Sequence, residues 1–174
     1  MATGSLIKID EEIVTSAVAS VTLTGIDSTY DVYMVKYNNV TPTTNGHRVD
    51  FRVTVAGTPD TTANYDNAYK GLRSDSTFID GYGTNGTSYI LIDQQVATGK
   101  SNNGIMYLFN FNNASEYSYL TNENVMFWSG SNNLLGQQGG LVHTVAQSCD
   151  GVHFFATSTS NIESGTFTLY GLKK

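Results

Sequence analysis

From His47 to Val55 the chain alternates without interruption. Val49, Phe51, Val53 and Val55 share one parity, and Arg48, Asp50, Arg52 and Thr54 share the other. Successive side chains on a β-strand point to opposite faces, so this pattern specifies a strand with one dry and one wet side. The same period of two sets Ala19, Val21 and Leu23 against Ser20, Thr22 and Thr24, and sets Phe167 and Leu169 against Thr166 and Thr168. The chain closes on such a segment, residues 162–174, which reads as a sheet strand and not as a loose tail.

Two further runs are apolar on both faces: residues 30–37 (YDVYMVKY) and 104–111 (GIMYLFNF). Strands of this kind need a cover on each side: the opposing sheet on one, and a loop, a neighbouring subunit or a ligand on the other. Residues 89–96, 125–128, 140–147 and 152–157 are also expected as strands, for nine or ten in all. Turn chemistry separates them at 43–46, 57–60, 81–86, 99–104, 131–133 and Asp150-Gly151. The Asp150-Gly151 pair, between two strand-like runs, reads as a tight hairpin. Segment 61–70 is expected to hold a helical turn or an irregular excursion.

Many strands, polar turns and no βα alternation predict an all-β, single-domain antiparallel β-sandwich. The expected topology is jelly-roll-like, with an immunoglobulin-like sandwich as the alternative. The domain spans residues 1–174, with residues 1–12 as a candidate N-terminal arm. A chain of 174 residues buries a sufficient core without disulfide or metal support.

Only 14% of residues are charged, and the polar surface is carried by Thr, Asn, Ser and Gly. An ordinary soluble domain carries about 25%. Such a surface suits an extracellular or particle-surface β-protein. A net charge of −6, with nine scattered Lys and Arg, disfavours a nucleic-acid partner, which requires a basic face. The first residues show no basic segment followed by an apolar one, so no signal peptide is expected. No run approaches the ~18 apolar residues of a membrane span, and no membrane partner is expected. Cys149 is the only cysteine, so no disulfide within the chain is available.

Candidate chemistry is sparse. His143, His153 and Glu123 are conceivable metal ligands, but zinc requires three or four converging groups and their spacing supports none. Paired carboxylates of the glycosidase type were sought at Asp27/Asp31, Asp60/Asp66, Asp75/Asp80 and Glu116/Glu123. All lie in or beside turns, where Asp bonds its own backbone. Residues 60–66 lack the spacing of a calcium loop. No nucleophile elbow or phosphate loop occurs, and Gly136–Gly140 lacks the lysine and helix of a nucleotide cradle. The chain is therefore read as a non-enzyme, with no catalytic, cofactor-binding or metal residue assigned and no cofactor expected. Tyr65, Tyr69, Tyr82, Tyr117 and Tyr119 fall in loop-like surroundings. There they staple loops to the sandwich, pack across an interface or stack on sugars.

Residues 23–42 (LTGIDSTYDVYMVKYNNVTP) and residues 161–173 (NIESGTFTLYGLK) resemble the opening and close of small structural proteins of tailed bacteriophages, of the marine and cyanobacterial type. Glu163 stands where an alanine is expected, a surface-type difference. The matches cover about a fifth of the chain, toward its two ends, and carry no catalytic residues. The resemblance implies a virion protein made in the host cytoplasm. A capsid decoration or cement protein assembling as a homotrimer on the major capsid protein fits best; a tail-fibre or tail-tip adhesin that binds host glycans is the alternative. Burying ~600 Å² of the surplus apolar surface per subunit would supply roughly 15 kcal/mol before association costs.

Overall fold

The structure is a computed structural model and describes residues 5–75, 78–90, 95–97, 99–130, 132–157 and 159–173. Among these the chain forms thirteen strands and no helix, hence none long and apolar enough to cross a membrane. They are β1 (Leu6–Val14), β2 (Ser20–Thr24), β3 (Val32–Pro42), β4 (Val49–Val55), β5 (Thr58–Pro59), β6 (Tyr65–Arg73) and β7 (Ile79–Gly86). The others are β8 (Tyr89–Ile90), β9 (Asn102–Phe109), β10 (Ser118–Trp128), β11 (Asn133–His143), β12 (Gly151–Ala156) and β13 (Ile162–Leu172).

The strands make two antiparallel sheets packed as a sandwich. The wide sheet runs β1-β13-β3-β9-β10-β11-β6-β7, and the narrow one runs β2-β12-β4, with β5 and β8 both pairing with β4. The pairing is nested. β1 joins β13, β2 joins β12, β3 joins β9 and β4 joins β8, and successive pairs alternate between the two sheets. An antiparallel ribbon rolled up in this way is a jelly roll, as the strand pattern predicted. β6, β7, β10 and β11 lie outside the nested set and widen one sheet from four strands to eight.

Alternation fills the space between the sheets. Tyr33, Val35 and Tyr37 of β3, Met106 and Leu108 of β9, and Phe167 and Leu169 of β13 face Val21, Leu23, Phe51, Val53 and Phe154 of the narrow sheet. Phe154 is the centre: its ring meets those of Phe51, Tyr37 and Phe167 at centroid distances of 5.6, 6.4 and 4.9 Å. The outer parity of β4 is drier than its sequence suggests. Asp50 is buried against Arg48 Nε and Ser88 Oγ, and Thr54 donates to Asp150 Oδ1 at 2.6 Å.

Several local expectations are corrected. Residues 61–70 hold no helical turn; most of them belong to β6, whose Asn67 and Tyr69 pack inward. Residues 81–86 are not a turn but most of β7. Gly81 and Gly83 are strand residues without side chains because Tyr69 and Asn67 of β6 lie across them. Asp150-Gly151 is not a hairpin. β11 stops at His143 in the wide sheet, and the chain crosses over before β12 begins in the narrow one. Gly151 instead admits Leu23 O and Thr54 Oγ1 into the space of a side chain. The candidate N-terminal arm contributes β1 from Leu6 onward, paired along β13. Of the strand expected over 89–96, β8 covers Tyr89–Ile90 and Val96 bridges Trp128, while 91–94 lie outside the described residues.

Candidate interaction surface

Half of the wide sheet mixes polar and apolar residues on both of its faces. Along β10, Ser118, Asn122 and Asn124 are buried on the inner face, whereas Tyr119, Val125 and Phe127 are exposed on the outer one. The inner amides are served by tyrosines: the ring of Tyr37 lies over Gly104 and its hydroxyl donates to Asn122 Oδ1 at 2.8 Å. Burial pushes the Tyr37 hydroxyl far above the ordinary tyrosine range, with Asn124 and Asn122 opposing the shift, so it stays a neutral donor. The apolar residues left outside gather in two patches.

The first is a groove of about 590 Å³ at one end of the outer face. Its floor is Gly140 of β11. One wall is the cross-strand pair Phe109 and Tyr119, and the other is Tyr82 of β7, the most exposed large apolar side chain at 88%. Asp66, Thr84 and Thr121 also border it, but the surface it exposes is almost wholly apolar; Asp66 Oδ1 accepts the Asn85 N–H at 2.7 Å. Gly140 is not required by the fold. A Cβ there would meet nothing nearer than Leu120 O at 4.0 Å, whereas at Gly139 it would strike Ala68 O and Tyr69.

The second patch lies beyond the polar row of Glu123, Gln138 and Lys70. Val125 of β10 and Leu72 of β6 flank Gly136, and Phe127 pairs with Leu134 in the next row. All four apolar side chains are exposed. Lys100 Nζ sits 5.9 Å above the Phe127 ring.

The expectation for the doubly apolar runs takes a definite form here. Tyr33, Val35 and Tyr37 face the core, as do Met106 and Leu108, while Val32 and Met34 lie beside Phe109 and Tyr107 on the outside. Of this outer parity Phe109 reaches the groove, whereas Met34 is itself buried.

Besides the Arg48–Asp50 pair, titratable groups converge at a buried point around His143, and its contacts are structural. His143, fully buried, stands between Ser118 and Tyr65 in the sheet register, meets the Tyr65 ring at a tilt with centroids 4.9 Å apart and bonds Asp60 Oδ2 through Nε2 at 3.0 Å. Gln147 Nε2 donates to the same oxygen, and Thr62 donates to Oδ1 through both N–H and hydroxyl. Burial lowers the His143 pKa against the pull of Asp60. Burial also raises Asp60, but the Thr62 bonds and His143 outweigh it and hold the carboxyl below its ordinary range. Cys149 is buried beside Ser118, 3.6 Å from its hydroxyl, and burial pushes the thiol up to about 11. A thiol at that value is protonated and inert.

The conceivable metal ligands do not meet. His143 faces inward, Glu123 faces outward and accepts from Gln138, and His153 lies on the narrow sheet bonded to Thr22. Among the described residues no three His, Cys, Asp or Glu side chains are placed to hold a metal ion. The carboxylates are engaged separately: Asp27 with Thr29, Asp66 with Asn85, and Asp75 with Arg73. Of the five tyrosines expected in loops, four lie in strands: Tyr82 of β7 and Tyr119 of β10 share the groove, Tyr65 and Tyr69 of β6 turn inward, and Tyr117 alone is outside a strand, just before β10 and outside the groove. Phe109, Gly140 and Asp66 were missed as groove residues. The alternation of β10 was hidden because each of its parities mixes apolar and polar residues: Leu120 and Met126 lie inside with Asn122 and Asn124, and Val125 and Phe127 lie outside with Thr121 and Glu123. No protein-family model matches the chain, and no curated protein matches it.

Proposed function

We propose that the protein is a non-enzymatic structural component of a tailed-bacteriophage virion, a capsid decoration or cement protein that assembles as a homotrimer. One observation carries this reading. The two segments with the phage-like pattern lie more than a hundred residues apart in sequence and are neighbours in the sheet: β3 and β13 pair from Tyr33↔Gly171 to Pro42↔Ile162. Their distinctive residues meet. Gly165, at φ +149°, admits Val40, and Gly171 admits the ring of Tyr30. The matching residues therefore lie side by side in one structural unit, which supports reading the two segments together.

The second apolar patch supplies the assembly surface. Contiguous exposed apolar side chains mark interaction sites. An eight-stranded face measures roughly 1,000 Å² at ~4.8 Å between strands and ~3.3 Å per residue. A standard interface needs about 800 Å² per partner. Copies of the chain cover Leu72, Val125, Phe127 and Leu134 in this reading. Cryo-electron microscopy of phage particles that carry the chain tests the role: density for this jelly roll on the capsid exterior is expected, and its confinement to the tail would overturn the capsid assignment.

A further inference from the structure

We infer that β7 is a docking edge for an extended segment of another polypeptide. The segment carries a basic residue between two apolar ones at alternate positions and adds to the eight-stranded sheet as a further strand. This goes beyond the virion role and stands whether or not that role holds.

An edge strand turns every second N–H and C=O away from its one neighbour. Proteins guard such edges with charge, proline, bulges, shortness or a covering element. The other edges of the two sheets are guarded in these ways. β1 carries Lys8, Asp10, Glu11 and Glu12, with a bulge between Lys8 and Asp10. β2 is covered from β1, where Asp10 Oδ2 accepts the Thr24 N–H at 2.7 Å. Beside β4 stand β5 and β8, two residues each, and β5 ends in Pro59. β7 is irregular only between Gly83 and Gly86; from Ile79 to Gly83 it pairs with β6 in unbroken register. That stretch holds no proline and one charge, and among the described residues β7 pairs with β6 alone. The backbone row left open there matches the repeat of an extended chain.

The side chains select which chain. Gly81 and Gly83 leave the inner parity to Tyr69 and Asn67 of β6, which lie across them, so β7 presents its outer parity. On that parity Phe78, just ahead of the strand, and Tyr82 are the two most exposed large apolar side chains among the described residues, at 66% and 88%. They bracket Asp80. Lys70 stands opposite Asp80 on β6, but its Nζ sits 5.9 Å over the Phe78 ring. Asp80 makes no hydrogen bond or ion pair among the described residues. Residues directly opposite on paired strands attract when both are apolar or when their charges are opposite. Two apolar residues with Lys or Arg between them therefore fit Phe78, Asp80 and Tyr82.

The edges of a second copy fit less well. A second β7 paired so that Phe78 meets Tyr82 would set Asp80 against Asp80, and like charges directly opposite repel. β1 offers Lys8, but Glu11 holds its ammonium at 3.0 Å and the bulge follows it.

The test titrates a fluorescein-labelled peptide with blocked ends, Thr-Val-Thr-Lys-Thr-Val-Thr, with the wild-type chain and follows anisotropy; hydrogen exchange maps the contact. Saturable binding is expected, with added protection at residues 79–83. Two N-methylated peptides separate strand addition from apolar packing, one methylated at the Val and Lys amides and the other at the Thr amides between them. One set faces β7 and should weaken binding at least tenfold; the other faces away and should not. The peptide with Glu in place of Lys should bind at least tenfold less tightly, and Asp80→Lys, checked for folding by circular dichroism, should reverse that preference. If Asp80→Lys fails to fold, Asp80→Asn should bind the two peptides alike. No saturable binding, equal affinity of the two N-methylated peptides, or equal affinity of the Lys and Glu peptides for wild type would each overturn the inference. Protection of residues 79–83 that rises with protein concentration in the absence of peptide would identify a second copy as the occupant and equally overturn it.

Discussion

The ring of Tyr30 occupies the space that a side chain at Gly171 would fill. It also meets the buried Tyr33 edge-on, at a centroid distance of 5.7 Å. One contact thus ties the chain just ahead of β3 to the end of β13. Gly171→Ala is expected to cost about 2 kcal/mol, inside the ~1–3 kcal/mol range for overpacking a filled site. In Tyr30→Ala the added methyl has room, so the double variant should be no less stable than Tyr30→Ala alone. Denaturant unfolding of the four-member cycle measures the coupling.

Phe154 and Phe155 differ by one position and by face. Phe154→Ala empties the centre of the sandwich and is expected to cost about 3–5 kcal/mol. Phe155 lies on the outer face beneath the Arg52 guanidinium, 4.2 Å from its ring centre. Its removal forfeits a cation–π contact of about 0.5–1 kcal/mol with little core loss. A cost for Phe155→Ala equal to that for Phe154→Ala would contradict the assigned register of β12.

Stability should rise with pH from acid to neutral. The buried His143 has a lowered pKa, so below its unfolded value of 6.5 the unfolded chain binds more protons and stability falls as pH drops. The physical reason is that protonation would add a second buried N–H at Nδ1, which has no hydrogen-bond partner among the described residues. His153, lowered chiefly by burial and further by Arg52, acts with the same sign. The Asp60 contribution is present above its unfolded value of 3.8 and is lost as pH falls through its lower folded value. Asp50, raised by burial, acts oppositely in the acid range. Melting temperatures between pH 7 and pH 5 should show a shallower decline for His143→Gln, whose amide can still donate to Asp60.

Cys149 should resist modification. With its Sγ buried and its thiol pushed up to about 11, it is expected to react with an aromatic disulfide reagent only at the rate of unfolding. Stoichiometric reaction within seconds in native buffer would contradict its placement.

The nested half of the jelly roll was legible because its inner parity is apolar. Val49, Phe51 and Val53, or Phe167 and Leu169, announce a strand whatever surrounds them. The widening half was not. β10 hides its period of two by placing Asn122 and Asn124 inside and Val125 and Phe127 outside. β7 reads as a turn because Gly81 and Gly83 give up their own side chains to make room for Tyr69 and Asn67 of the preceding strand β6. The groove follows the same rule. Tyr82 was visible as an aromatic in a polar stretch, but its partners Phe109, Tyr119 and Gly140 come from three other strands, and only the register brings them together. Gly151 shows the converse: a residue that suggests a turn locally is fixed by the close approach of Leu23 O.

Native mass spectrometry of the wild-type chain and of Leu134→Asp tests the central claim most directly. The wild-type protein is expected at three times the chain mass, and Leu134→Asp, which places a charge in the Val125–Phe127–Leu72 patch, at the mass of one folded chain. A wild-type protein that remains monomeric at micromolar concentration would contradict assembly through the outer face.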